Sequence, residues 1–346
     1  MNVLVAGGAG FIGSAFVRLL ARERPAWKLV VFDKLTYAGN RANLGEIEGA
    51  YTFVHGDIAD ATAVRAALRA HAITTVVNFA AESHVDRSIM SGTEFITTDV
   101  LGTYLLLTEA RAADVARYVQ VSTDEVYGSI PAGEATEESL MKPNNPYSAS
   151  KAGGDLQVRA AFQTYGFPAV VTRGSNTYGP YHYPEKVIPL FITNLLEGKK
   201  VPLYGDGRNR RDWLYVDDHA RGILLALEHG TPGEIYNLGS TEEVENIALT
   251  KQILSALEKG EEWIEVVPDR PGHDRRYALD SSKARALGWH PTVSLAEGLK
   301  QTIAWYREHR DWWKPLKSGA YQEYYQKQYA EGARASKASE AVETHS

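Results

Sequence analysis

Along the first half of the chain, short apolar runs alternate with longer stretches in which apolar residues recur at helical spacing. The runs, at 2–6, 29–33, 52–55, 75–79, 118–121 and 169–172, are rich in Val, Leu and aromatic residues. Such runs predict strands buried on both faces, as in a parallel sheet covered by helices. The intervening stretches, at 11–24, 61–71, 93–113 and 146–165, predict those helices. The last is well punctuated: Asn145 can cap it, Pro146 suits its first position, and Gly166 suits the left-handed residue beyond its end.

From about residue 177 the texture changes. Turns rich in Gly, Pro and Asn ("YGPYHYPEK", "YGDGRNRRDW", "DRPGHDRRY") separate shorter elements, and a final helix is predicted near 294–313. The expected organisation is a dinucleotide-binding domain over 1–176 and a smaller α/β substrate lobe over 177–328, with some segments returning to the first domain. The end of the chain ("EGARASKASEAVETHS") has too little apolar content to pack, so 329–346 is expected to be a disordered tail.

"VLVAGGAGFIGSAFVRLL" reads as strand, glycine turn and amphipathic helix in succession. Gly7, Gly10 and Gly13 fit a turn whose backbone approaches a pyrophosphate closely, the phosphate resting on the N–H groups that open the helix. Asp33 closes the next strand about 20 residues after Gly13, where a carboxylate can hold both ribose hydroxyls and repel a 2'-phosphate. The pattern therefore predicts a Rossmann-type, doubly wound parallel sheet that binds NAD rather than NADP. Lys34 and Arg41 pull the other way. Asp57 either contacts the adenine edge or is a solvated turn residue.

Tyr147 and Lys151 in "PYSASK" stand four residues apart and share a helix face. A neighbouring ammonium stabilises phenolate, so Lys151 is expected to lower the Tyr147 pKa and make the phenol a usable base. In "STDEVYG", Thr123, Asp124 and Glu125 follow directly on the fifth strand, where ligands of open parallel sheets bind. Two readings of the adjacent acids stand. One is a turn with a helix-capping aspartate and a solvated glutamate. The other is a proton-transfer pair acting on a hexose oxidised at C4: one carboxylate removes the acidified C5 hydrogen, and its protonated neighbour helps the C6 hydroxyl leave as water. Residues adjacent in a strand point to opposite faces, so the second reading requires the chain to have left the strand by Asp124.

Composition narrows the picture. With 346 residues, 44% hydrophobic and 23% charged, the chain can bury a large core. A net charge of -6 argues against a broad nucleic-acid or acidic-membrane surface. There are no cysteines, hence no disulfides, and the histidines show no metal-ligand spacing, so no metal site is expected. The N-terminal apolar run lacks a basic lead-in and is interrupted by glycines, which favours structure over targeting. No run of about 18 apolar residues suggests a membrane span. The expected location is cytoplasmic.

Taken together, "GGAGFIG", "DKLTYAGN", "FAAESHVDRSI", "VSTDEVYGS", "PYSASKAGGD", "NTYGPYHYPEKVIPL", "LYGDGRNRRDWLYVDDHA" and "DRPGHDRRY" resemble the dTDP-glucose 4,6-dehydratase family of extended short-chain dehydrogenase/reductases. The resemblance runs from residue 1 to about 315. It implies that Tyr147 is the base for oxidation, with Lys151 tuning it and holding the nicotinamide ribose. It implies that Asp124 is the acid, Glu125 the base at C5, and Thr123 a partner of the 4-hydroxyl. Phe11, Ile12, Asp33, Lys34, Leu35, Thr36, Asp57, Ile58, Ala80 and Thr98 would join the glycines around NAD. Ser83 and Asp86 would face the sugar. Asn176, Glu185, Lys186, Arg211, Asn246, Arg270 and His273 would hold the diphosphate or base of dTDP-glucose. UDP-glucose, or a 4-epimerase of the same fold, are the alternatives. Gly174 and Thr177 depart from the family's usual Cys and Asn, and Ala6 from its threonine. The family forms homodimers through the helices flanking the fifth strand, and Phe95, Val100, Leu101, Tyr104, Leu105 and Leu107 spread around the first of these.

Overall fold

The computed structural model describes residues 1–325 and residue 328. In its first half β1 (Asn2–Ala6), α1 (Phe11–Glu23), β2 (Lys28–Asp33), β3 (Tyr51–His55), α2 (Ala61–Ala70), β4 (Thr75–Asn78), α3 (Val85–Met90), α4 (Thr93–Phe95), α5 (Thr103–Ala112), β5 (Arg117–Thr123), α6 (Pro146–Tyr165) and β6 (Ala169–Gly174) follow one another. The second half adds β7 (Asn176–Tyr178), α7 (Val187–Leu196), β8 (Val201–Tyr204), β9 (Arg210–Tyr215), α8 (Val216–His229), β10 (Ile235–Leu238), β11 (Glu243–Glu245), α9 (Asn246–Ala256) and β12 (Ile264–Val267). It ends with α10 (Ser282–Ala286), α11 (Leu295–Glu308), α12 (Arg310–Leu316) and α13 (Ala320–Tyr325).

Seven parallel strands form the main sheet in the order β10-β6-β5-β4-β1-β2-β3. Strand order reverses between β1 and β4, which opens a crevice beyond their carboxyl ends. On one face α1 and α8 pack over Val5, Phe16, Leu20 and Val31; on the other, α2, α5 and α6 pack over Leu4, Phe32, Val76 and Tyr118. Strand β10 and helix α8 come from beyond residue 177 and complete this layer. The rest of the second half builds two small sheets, β11-β9-β7 and β12-β8, around a core that includes Phe191, Trp213, Leu249 and Trp313.

Two predicted helices differ from expectation. The helix at 93–113 contains a π-helical stretch, Ile96–Gly102, between α4 and α5. It packs against Gly153 and Gly154 of α6, where an added Cβ would lie 2.8 Å from Val100 Cγ2 and 2.7 Å from the Asp99 carbonyl oxygen. A π-bulge adds one residue without ending the helix, so hydrophobic spacing hides it. The helix at 294–313 breaks at His309, whose Nδ1 lies 2.9 Å from the Trp305 carbonyl oxygen.

The C-terminal helices reach back across the molecule. Trp312 Nε1 donates to Asn43 Oδ1 at 2.9 Å, and Asn43 Nδ2 donates to the Ala9 carbonyl in the glycine turn, also at 2.9 Å. Trp305 packs on Tyr181 with ring centroids 4.5 Å apart, and the Tyr306 hydroxyl donates to the His182 carbonyl. Among the described residues no helix is long and apolar enough to cross a membrane. The tail expected at 329–346 lies outside them.

Candidate active site

The glycine turn is built by exclusion. Gly7 has φ +72°, and a Cβ there would lie 2.5 Å from the Ala80 nitrogen. A Cβ on Gly13 would overlap the Gly7 carbonyl oxygen, so the protein's own packing demands both glycines. Gly10 is different: a Cβ would meet only the Gly7 oxygen, at 3.2 Å. What Gly10 keeps clear is the space before the first turn of α1, where helix-opening N–H groups can receive an anion. The Asp33 carboxylate is held by the Ala9 N–H (2.9 Å) and the Leu35 N–H (2.8 Å), which oppose the upward push of burial on its pKa.

Every residue expected to touch the cofactor except Leu35 lines one cleft with Tyr147 and Lys151. Leu35, at φ 54°, contributes its N–H to Asp33 rather than a side chain to the wall. The two cations that weighed toward NADP have other partners. Lys34 Nζ pairs with Asp57 at 2.6 Å, and the Arg41 guanidinium lies 4.7 Å from the Phe53 ring centre.

Thr123, Asp124 and Glu125 line the same cleft. Strand β5 ends at Thr123, and Asp124–Tyr127 forms a 3-10 turn capped by the Thr123 hydroxyl, which accepts from the Glu125 N–H at 3.2 Å. The chain has thus left the strand, and both acids reach one side. Asp124 is 2% exposed, and its Oδ2 has no partner among the described residues. Burial, then the Glu125 and Asp212 charges, raise its carboxyl well above the usual range, which favours the protonated form. Glu125 Oε2 accepts from the Ser148 hydroxyl at 3.2 Å and the Tyr277 hydroxyl at 3.4 Å.

Lys151 Nζ donates to the Val121 carbonyl at 3.0 Å, anchoring α6 to β5. The expected lowering of the Tyr147 phenol is not what the surroundings produce. Burial, with the Glu125, Asp99 and Asp124 charges, raises it well above its ordinary value, and the Thr123 hydroxyl only partly opposes this. A shared helix face says nothing of the carboxylates that the fold brings to the same phenol.

Of the residues expected on the substrate side, Ser83, Asn176 and Lys186 line the cleft, and Lys186 donates to the Ser83 carbonyl. Asp86, Glu185, Arg211, Asn246, Arg270 and His273 do not line it; the first three are buried and the last three half-buried. Arg270 donates to Asp86 at 2.8 Å, which also accepts from the Tyr204 hydroxyl at 3.0 Å. Arg87 pairs with Glu185 at 3.0 Å, and Arg211 reaches the Asp274 carbonyl at 2.8 Å across the Tyr277 ring. Burial and the two arginines press the His273 imidazole down to about 4, so it is neutral. Arg270 Nε, Asn246 Oδ1 and Asn176 Oδ1 are buried without partners among the described residues. His182 has no sequence signal of its own: it stacks on Phe11 at 4.1 Å and lines the cleft. Burial keeps it uncharged.

Known proteins are similar to this chain in sequence and fold. The family model described as GDP-mannose 4,6 dehydratase matches residues 4–302. A dTDP-glucose 4,6-dehydratase of Streptomyces niveus is 50% identical over 325 residues, 92% of this chain and 96% of that protein. The crystal structure of DesIV, a dTDP-glucose 4,6-dehydratase from Streptomyces venezuelae with NAD and TYD bound, superposes with a TM-score of 0.89 at 54% identity, covering 92% of this chain and all of that one. A Thermus thermophilus UDP-glucose 4-epimerase in complex with NAD is more distant, at 33% identity and a TM-score of 0.83 over 89% of this chain and all of that one. With half its residues identical to such relatives over nearly its whole length, this chain belongs to the dTDP-glucose 4,6-dehydratase family.

Proposed function

We propose that the protein converts dTDP-glucose to dTDP-4-keto-6-deoxyglucose, with NAD as a cofactor that ends each turnover as it began. The observation that carries this reading is the buried Asp124, whose surroundings favour its protonated form, beside Glu125 in the cleft that also holds Tyr147. The residues fit the cofactor: Gly10 leaves room for a pyrophosphate before α1, and Asp33 is oriented for a ribose diol. When bound, NAD supplies the acceptor for a hydride from C4 and its donor to C6, and its positive ring favours phenolate at Tyr147.

Tyr147 takes the proton of the 4-hydroxyl, which Thr123 holds by a hydrogen bond. The ketone at C4 makes the C5 hydrogen acidic, and Glu125 removes it. Asp124 gives its proton to the C6 hydroxyl, which leaves as water, and Glu125 later returns its proton to C5. Tyr147 ends with a proton and Asp124 without one; exchange with solvent resets both. General acid and general base are each worth about 10²–10⁴-fold. A 4-epimerase needs no such pair.

Arg211, Arg270 and Lys186 supply positive charge for the diphosphate, and Asn176, Asn246, Glu185 and His273 complete that end, with Ser83 and Asp86 nearer the sugar. Binding of this remote handle positions the hexose. The two-domain division near residue 176 separates cofactor from nucleotide-sugar binding. Ile96, Leu101 and Tyr104, with Leu156 on α6, are exposed apolar side chains on adjoining elements, which supports a homodimer through this face. Leu101→Asp should then sediment as a monomer. A soluble nucleotide sugar and NAD suit a cytoplasmic reaction.

The test is product analysis with dTDP-glucose and UDP-glucose in parallel. The expected result is a 4-keto-6-deoxy product, faster from dTDP-glucose. A galactose epimer that retains its C6 oxygen would overturn the reading. Tyr147→Phe should abolish oxidation.

A further inference from the structure

Next to Tyr147 and Lys151, outside the lining of the cleft, lies a buried carboxyl that the reaction above does not use. Asp99 lies in the π-helical stretch and is 2% exposed. Gly153 and Gly154, just past Lys151 on α6, let its backbone close in. Ser150 Oγ lies 2.6 Å from Asp99 Oδ2, and the Glu82 N–H donates to Oδ1 at 3.0 Å. The charged and titratable groups that face Asp99 are Lys151 and Tyr147 on α6 and Glu82 after β4. Burial raises its pKa to about 6, against the pull of Lys151 and the two hydrogen bonds, so it is charged at neutral pH.

A carboxylate is not needed here to satisfy hydrogen bonds. Ser150 Oγ also lies 2.8 Å from the Tyr147 carbonyl oxygen. An amide at position 99 could accept from Glu82 and donate to Ser150, whose hydroxyl would then donate to Tyr147. Keeping a charge costs desolvation and has its effect on the neighbouring titratable pair.

We propose that Asp99 is a positioning residue for the Tyr147–Lys151 pair, its buried negative charge fixing the electrostatics on the inner side of that pair and so the pH range in which Tyr147 accepts the 4-hydroxyl proton. The inference rests on the role given to Tyr147 above. Its direction is set by sign: a fixed anion near a phenol disfavours phenolate, so Asp99 holds the working range toward higher pH.

The test is Asp99→Asn in NAD-loaded protein. The acid limb of kcat/KM for dTDP-glucose should move to lower pH by about two units, the effect of one charge several ångströms away at an effective dielectric constant near 20. The same shift should be read without substrate as phenolate ultraviolet absorbance, taken against Tyr147→Phe. Ser150→Ala, which weakens the hold on the charged carboxyl, should shift the titration the same way by less. A uniform drop in activity with an unmoved limb, or an unmoved phenolate titration in both variants, would overturn the proposal. Absence of a 4-keto-6-deoxy product from wild-type protein would instead overturn the functional reading, while the phenolate titration still decides the role of Asp99.

Discussion

Asp124→Asn separates the two acids. The amide keeps the shape of the side chain and the oxygen that accepts from the Thr123 hydroxyl at 3.2 Å, but it has no acidic proton to give. Glu125 retains its contacts with Ser148 and Tyr277. Oxidation at C4 and removal of the C5 hydrogen should therefore persist, while loss of the C6 hydroxyl slows. The expected loss is about 10²–10⁴-fold in product formation, or about 3–5 kcal/mol of barrier. The assay runs dTDP-glucose in heavy water, quenches at intervals, and follows both deuterium at C5 and the 4-keto-6-deoxy product. Asp124→Asn should incorporate deuterium with little product; Glu125→Gln should do neither. Product from Asp124→Asn within a factor of about three of wild type would refute the acid assignment. Loss of C5 exchange together with product would refute the division of labour.

Other consequences are as direct. Gly10→Ala should fold with a melting temperature close to wild type yet lose NAD affinity by about tenfold or more, since its Cβ enters ligand space. Gly13→Ala should lose about 2 kcal/mol or more of stability in urea unfolding, because its Cβ collides with the Gly7 carbonyl. Asp155→Ala leaves the Arg173 guanidinium, paired with it at 2.9 Å and nearly inaccessible, uncompensated, and should cost about 3–5 kcal/mol by the same measurement. Asp99→Asn should stabilise the protein above pH 6. The raised carboxyl pKa, about 6 against an unfolded 3.8, is a penalty fully present above pH 6 that fades as pH falls toward 4. The gain is up to about 3 kcal/mol, and equal stability of the two proteins at pH 8 would count against a charged Asp99.

What could be read from the chain alone was whatever depends on near neighbours. Helix α6 has the expected ends because Asn145, Pro146 and Gly166 act within a turn of where they stand. The glycine turn and Asp33 were legible for the same reason. Strand β5 runs two residues further than its apolar run, through Ser122 and Thr123, because pairing with Arg173 and Gly174 of β6 extends it. Strand β10 is a four-residue segment that only its place beside β6 makes part of the sheet. The Asp86–Arg270 pair joins residues 184 positions apart, which no local pattern records. Tyr147 is the clearest case: spacing put a cation near the phenol, whereas the fold also gathers Glu125, Asp99 and Asp124 around it.

The reach of Trp312 to Asn43, and of Asn43 to the Ala9 carbonyl, means that the last helices are part of the floor on which a dinucleotide rests. Trp312→Phe would keep every group assigned to chemistry, and the buried Trp313 beside it, yet release the turn between β1 and α1 from its far support. Such a protein should shed NAD faster while its remaining side chains stay competent, and added NAD should restore turnover. The retention time of the cofactor would then be decided by residues that never meet it.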